Sequence, residues 1–205
     1  MKRRVLVLLG LLLAVVAFSG CTSYSSETTS PTTSIQESPK ELGEWKADGI
    51  IDEKEYAHEL SLAGGKLIVY WRNDDEYLYM ALKGQTTGWV AIGFEPTQSM
   101  KDADMIFGWV KDGEVTVLDL YSTGTYGPHP PDENLGGTND ILEYAGKEES
   151  GYTIIEFKRK LNTGDQYDKA FVRGQTIKFI FAMADDDEFT LKHNVARGSG
   201  ELVLD

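Results

Sequence analysis

Segments in which apolar and polar residues alternate recur along most of this chain, and patterns typical of helices are nearly absent. One segment, GWVAIGF (88–94), is apolar on both faces, which predicts a buried central strand. Asp112-Gly113 separates two other segments and is a strong hairpin signal. Eight segments carry a strand pattern: 66–72, 76–83, 88–94, 104–110, 114–122, 152–160, 175–184 and 201–204. They predict an all-β fold in which two antiparallel sheets of eight or nine strands in total pack face to face as a β-sandwich.

The N-terminal residues have the pattern of an export signal. Three basic residues (2–4) precede an apolar run of 14 residues (5–18), which is shorter than the ~20 residues that a spanning helix needs. Ser-Gly follows and then Cys21, the only cysteine of the chain, and this ending resembles a prokaryotic lipoprotein box. We therefore expect a signal peptide over residues 1–20 and a lipid on Cys21 that anchors the protein to the bilayer. A plain cleaved signal and an uncleaved anchor are the alternatives.

The next segment separates this signal from the strand-forming part. Residues 21–44 are rich in Ser, Thr and Pro and have almost no apolar content, so they cannot bury enough surface to offset the entropy of ordering. We expect a tether that holds a single domain, residues 45–205, at the outer face of the cytoplasmic membrane, on the cell surface or in the periplasm.

The chain is strongly acidic. Its formal net charge is −13, and loss of the three basic residues of the signal takes it to −16. An acidic surface argues against nucleic-acid binding and also repels anionic lipid, so the membrane link is expected to be the lipid on Cys21. Solubility is one reason for such a charge, and an acidic face that docks a basic redox partner is the other.

Two polar loops each contain a residue whose side chain is unusual for such a loop. Met100 lies between Ser99 and Lys101 with aspartates close by, although a thioether gains little from polar neighbours. His193 lies in a second polar loop, LKHNVARGSG. A thioether and an imidazole that a β fold brings together can be the two axial ligands of one haem iron. Neither residue has to bind a metal. The alternatives are that Met100 covers one end of the sandwich as an apolar side chain and that His193 lies at the surface.

An ordered set of motifs resembles the DOMON domain family. The set runs over residues 45–205: an acidic opening (ADGIIDEKEY), the GWVAIGF strand, a Met-containing loop with Ala103-Asp104, the stretch FKRKLNTGD, and KHNVARGSGELVL near the end. The resemblance implies an immunoglobulin-like β-sandwich. Some DOMON domains bind haem b noncovalently, like the cytochrome domain of cellobiose dehydrogenase, and others are thought to recognise sugars.

The resemblance also implies site residues. Met100 and His193 stand where the haem-binding members carry their axial ligands. Arg197 is expected to pair with a haem propionate, because the guanidinium fork fits carboxylates, and a surface salt bridge is the alternative. Met105 and His129 are the rival methionine and histidine. Aromatic residues should wall the pocket, and Trp71, Trp89 and Phe94 are expected there; Tyr79, Phe107 and Trp109 are further candidates.

The preferred function is therefore electron transfer by a membrane-tethered b-type cytochrome domain, to or from a redox partner such as a dehydrogenase or membrane reductase. The chain lacks GxSxG and HExxH motifs, so a hydrolase has no support. As an electron carrier it is not expected to be an enzyme, because the partner does the chemistry. The alternative is a carbohydrate-binding or sensing module, in which an exposed Trp71 or Trp89 would stack on a sugar ring. A scaffold domain without either ligand is the third possibility.

Clusters of carboxylates raise the question of calcium. The residues 132–134, 139–140 and 185–188 supply hard oxygen ligands, but none has the spacing of an EF-hand loop. Solvated loop charge is the preferred interpretation of these clusters, and calcium is the alternative.

Overall fold

Two five-stranded antiparallel sheets face each other across one hydrophobic core in the computed structural model, which describes residues 41–205. The strands are β1 His58–Leu62, β2 Leu67–Asn73, β3 Tyr77–Gly84, β4 Val90–Phe94, β5 Asp104–Lys111, β6 Glu114–Tyr121, β7 Ile141–Glu149, β8 Tyr152–Lys160, β9 Thr176–Met183 and β10 Ala196–Val203. The first sheet has the order β1-β2-β3-β8-β7 and the second has the order β10-β9-β4-β5-β6. The predicted all-β sandwich is confirmed. The predicted signal peptide and Cys21 lie outside the described residues.

Helical structure in residues 41–205 is limited to two 3-10 turns, Ala63–Gly65 and Asp132–Leu135. None of the helices in this part of the chain is long and apolar enough to cross a membrane.

Alternating side chains of both sheets build the core. Leu67 and Val69 of β2 meet Val90 and Ile92 of β4 in one cluster, because every second residue of a strand points to the same face. β4 lies between β9 and β5 and is buried at all five positions, as its two-sided apolar sequence predicts.

Three strands depart from the sequence prediction. β1 and β7 were not predicted, and β10 begins at Ala196 instead of residue 201. β7 was missed because this edge strand is mostly exposed and highly charged, so it lacks the alternation that marks a buried face. The start of β10 was missed because Gly198 and Gly200 weaken a strand pattern.

Packing against β9 explains why glycine occupies positions 198 and 200. A Cβ added to Gly198 would lie 2.7 Å from the ring of Phe181, and one added to Gly200 would lie 2.6 Å from the ring of Phe179. Both rings belong to β9, directly opposite each glycine in the register. The glycines therefore leave room for aromatic side chains of the core.

Candidate functional site

The outer face of the second sheet carries an apolar layer of its own. Side chains of β4 that point away from the core are small, Ala91 and Gly93, and Ala182 of β9 lies opposite Ala91 in the register. A Cβ added to Gly93 would lie 3.0 Å from Cγ of Met105 and 3.1 Å from Cγ1 of Ile180. Alanine and glycine thus form a low floor, and bulkier neighbours rise around it.

A cavity of about 790 Å³ lies above this floor, within the size range of cofactor pockets. Loops that leave the sheet cover it: residues 95–103, 122–131 and 184–195 contribute Met100, His129 and His193 to its lining. Its other walls are mainly apolar and include Trp89, Phe107, Ile180, Phe189 and Leu191. A low floor between apolar walls fits a flat macrocycle such as a porphyrin.

The structure brings Met100 and His193 to the same cavity. The backbone of Met100 is tied on both sides: its amide donates to the carbonyl of Thr125 at 3.2 Å, and its carbonyl accepts from the amide of Ala103 at 3.1 Å. Asp102 accepts a hydrogen bond from Thr97 Oγ1 at 2.6 Å in the same loop. These hydrogen bonds therefore hold the Met100 loop in place.

His193 reaches the cavity from the loop between β9 and β10. Asp185 and Asn194 close this loop, because the Asp185 amide donates to Asn194 Oδ1 at 3.1 Å and Asn194 Nδ2 donates to Asp185 Oδ1 at 2.5 Å. Burial and then the positive charge of Arg197 lower the pKa of His193 below its usual value. The imidazole is thus neutral at pH 7 and keeps a lone pair for a metal.

Two cations lie at this cavity. Arg197 on β10 and Lys192 in the preceding loop both line it, and neither forms a salt bridge with another described residue. Unpaired cations beside an apolar cavity suit a ligand that carries carboxylates.

The rival residues also line the cavity. Met105 is 3% exposed and packs under Gly93. The ring of His129 stacks on Phe107 with centroids 5.0 Å apart, and its Nδ1 is buried without a hydrogen-bond partner among the other described residues. Burial lowers the pKa of His129 as well. The cavity is therefore lined by two thioethers and two imidazoles, of which Met105 and His129 are the more deeply buried pair.

The predicted aromatic walls divide between two places. Trp89 lines the cavity and packs against Phe107 with ring centroids 4.9 Å apart. Trp71 and Phe94 were predicted there and instead lie in the main core, because the alternation of β2 and β4 points them inward. Trp71 and Trp89 are 7% and 2% exposed, so neither is the exposed platform that the sugar-binding hypothesis requires.

The sequence interpretation missed the floor residues and Phe189. The signal for the floor was present: GWVAIGF has Ala91 and Gly93 at alternate positions, which makes one face of a buried strand small. Phe189 lies among acidic residues in a loop and gives no pattern; it stacks on Trp109 with ring centroids 5.9 Å apart.

A model of the DOMON domain matches residues 63–184, more than half of the chain. The chain belongs to the DOMON domain family. The resemblance seen in its motifs is thereby confirmed.

Among curated proteins, this DOMON chain is 34% identical over 158 residues to DBH-like monooxygenase protein 1 of Mus musculus. The match covers 74% of this chain and 24% of the mouse protein. The chain thus spans about a quarter of the length of that relative.

Two solved structures share the fold. The cytochrome b domain of pyranose dehydrogenase from Coprinopsis cinerea gives a TM-score of 0.53 at 12% identity and covers 72% of this chain and 80% of that chain. The cytochrome domain of Myriococcum thermophilum cellobiose dehydrogenase gives a TM-score of 0.52 at 14% identity, with 72% and 81% coverage. At these identities the similarity to our DOMON domain is one of fold.

Proposed function

We propose that this DOMON domain is a b-type cytochrome domain that binds one haem b noncovalently and transfers single electrons. One observation carries the proposal: one apolar cavity of about 790 Å³ is lined by Met100, His193 and Arg197, a cation that forms no salt bridge with another described residue. Thioether and imidazole are axial haem ligands in electron carriers, and a cation suits the propionates. Fold similarity to two cytochrome domains supports the same function.

Each part of the site has a role in this function. Met100 and His193 would hold the iron, which supplies a one-electron change when haem is bound. The hydrogen bonds that fix the Met100 loop would limit rearrangement of the ligand. Trp89, Phe107 and Phe189 would exclude water from the cavity. Arg197 and Lys192 would orient the macrocycle through its carboxylates.

The proposal also includes the attachment of the domain to a membrane and its redox partner. A lipid on Cys21 would anchor the chain to the outer face of the cytoplasmic membrane, with residues 22–44 as the tether. The acidic surface would dock a basic redox partner, such as a dehydrogenase or membrane reductase. Chemistry on a substrate would belong to that partner, so the chain would be no enzyme.

The visible spectrum tests the function. Protein produced with haem available should show a sharp Soret band and split visible bands on reduction. Met100→Leu and His193→Ala should each change the spin state or lower the haem content at least about tenfold, because each removes one iron ligand. Met105→Leu and His129→Ala, at the rival positions in the same cavity, should keep the spectrum of the unmodified protein.

Two results would contradict parts of this proposal. If only the rival variants altered the spectrum, Met105 and His129 would be the ligands and our assignment would be wrong. A colourless protein that takes up no added haem, but gains thermal stability with a glycan, would replace the cytochrome function with sugar binding.

A further inference from the structure

Four aspartates meet in the interior at one end of the second sheet. Asp104 begins β5, Asp119 lies near the end of β6, Asp132 begins the second 3-10 turn, and Asp168 lies between β8 and β9. Asp104, Asp119 and Asp132 are at most 4% exposed, and the side chain of Asp168 is 1% exposed. Carboxylates are rarely buried without compensating charge, so this cluster requires an explanation.

The cation that the cluster contains does not balance it. Nη1 of Arg159 lies 2.5 Å from Asp104 Oδ2, and its Nη2 lies 3.4 Å from Asp168 Oδ2. Several other oxygens of the cluster are buried and accept no hydrogen bond from a described residue. They are Asp104 Oδ1, Asp119 Oδ1 and both carboxyl oxygens of Asp132. One guanidinium therefore faces four carboxyl groups.

The crowding of these buried carboxyl groups has an electrostatic consequence. Burial, followed by the charge of Asp168, raises the pKa of Asp119 to about 8 and that of Asp132 to about 7. The polypeptide alone thus holds these groups in an environment that disfavours their ionised forms. A bound cation would reverse that preference.

The spacing of the oxygens indicates which cation fits. One carboxylate oxygen each from Asp104, Asp119 and Asp168 lie within 4.8 Å of one another. Calcium binds oxygens at about 2.3–2.6 Å, so ligands on opposite sides of the ion are up to about 5 Å apart. Magnesium needs about 2.0–2.1 Å and keeps several waters, which suits a buried, carboxylate-lined centre less well.

We propose that Asp104, Asp119, Asp132 and Asp168 form a Ca²⁺ site. Three of them supply oxygens at the spacing of one coordination shell, and Asp132 contributes a buried side chain whose two oxygens accept no hydrogen bond from the described part of the chain. All donors are hard oxygens, which select calcium over softer transition metals. The site differs from the clusters that the sequence suggested: of residues 132–134, 139–140 and 185–188, Asp132 alone belongs to it.

The site would join the segments that wall the neighbouring cavity. The Ala103 amide, next to Asp104, donates to the carbonyl of Met100, and the Ala103 carbonyl accepts from the amide of Ser122 at 3.0 Å. Asp132 follows His129 by three residues in the loop that covers Phe107. Bound calcium would therefore stabilise the Met100 loop from outside the cavity.

Calcium titration of the full chain tests the site, with haem-free and haem-loaded protein measured separately. After treatment with EGTA and dialysis, calorimetry with CaCl₂ should show one site per chain, and calcium should raise the unfolding temperature. MgCl₂ should bind at least about tenfold more weakly. Because both readouts work without haem, a failure here is distinguishable from a failure of the cytochrome proposal.

Asp119→Asn is the informative variant. Asparagine keeps an oxygen for the Asp140 amide, which now donates to Asp119 Oδ2 at 2.8 Å, but it removes a negative charge. Calcium affinity should fall at least about tenfold, because asparagine cannot supply a charged ligand. The metal-free variant should unfold at the same or a higher temperature, since asparagine removes a carboxyl group whose ionised form this buried environment disfavours. A merely structural carboxylate would instead lose stability without any calcium effect. Asp132→Asn gives the same test if Asp119→Asn does not fold.

Glu133→Gln is the matched control, because Glu133 is the exposed neighbour of Asp132 and its replacement removes the same charge. It should keep the calcium affinity of the unmodified chain. The proposal is overturned if CaCl₂ gives neither binding heat nor a shift in unfolding temperature, or if both Asn variants bind calcium as tightly as Glu133→Gln.

Discussion

The outer faces of the two sheets are both covered by other parts of the chain, but the covers differ in kind. On the first sheet, Trp45 and Tyr56 pack against Ala81, and Nε1 of Trp45 donates to the Tyr56 hydroxyl at 2.9 Å. On the second sheet, the strand residues Ala91 and Gly93 are small, and the loops that cover them leave the space above them unfilled. Large aromatic side chains fill the first face, whereas the second face keeps a cavity of about 790 Å³.

The polar groups under the two covers differ in the same way. Glu156 is fully buried on the first sheet and satisfied: it accepts from the Tyr56 hydroxyl at 2.7 Å and from the Gly49 amide at 2.6 Å. On the second sheet, His129 Nδ1 and Trp89 Nε1 are buried without hydrogen-bond partners among the other described residues. A filled cover whose polar groups are satisfied serves stability, whereas a hollow cover whose polar groups lack partners leaves those groups free to contact a ligand.

The largest expected effect comes from filling the hollow face. Ala182→Phe places a ring on the floor of the cavity, so haem affinity should fall at least about tenfold while the cooperative unfolding transition persists. Absorbance of haem-titrated protein measures the affinity. Val203→Phe adds the same ring at an exposed position of β10 and should leave haem binding unchanged. Undiminished haem binding by Ala182→Phe would show that the ligand lies elsewhere.

The next effect concerns the filled face. Glu156→Ala leaves the donors of Asp48, Gly49 and Tyr56 without their acceptor, so the free energy of unfolding should fall by about 3 kcal/mol. Urea denaturation measures this loss, and the haem spectrum should not change. Glu59→Ala, at an exposed position of β1, is the control and should cost little. A haem spectrum that changed with Glu156→Ala would mean that the two faces are coupled.

The smallest expected effect is a pH dependence of the free energy of unfolding, caused by Glu156 on the first sheet. Burial raises the pKa of Glu156 above 4.5, so its stabilising contribution is complete below that pH and is lost as the pH rises through the folded-state pKa. Glu156→Gln cannot titrate. Relative to this variant, the unmodified protein should lose stability as the pH rises above about 4.5. Denaturation at several pH values measures the difference, and parallel curves for the two proteins would exclude this titration.

Much of the fold could be predicted from local patterns. Alternation identified β2, β3, β5, β6, β8 and β9, and an apolar run identified β4, because each buries at least one face. β7 could not be found in this way, since an exposed edge strand needs no apolar face. The full length of β10 depends on rings of β9 that occupy the space above Gly198 and Gly200, and such pairing is visible only in three dimensions.

The candidate site was predictable in part for the same reason. The structure places Met100 and His193 at one cavity, and their binding of iron stays a prediction. Trp71 and Phe94 were misplaced because strand alternation shows which residues share a face but not which face is the core. The aspartate cluster was invisible because its members come from four separate segments, and only Asp132 belonged to a suggested group.

The position of the cavity has a consequence for the order of assembly. The sandwich core is complete between the sheets without any contribution from the cavity above β4 and β9. A polypeptide built in this way can complete its sandwich core before any ligand enters the cavity. Occupation of the cavity is therefore separable from formation of the core in this architecture.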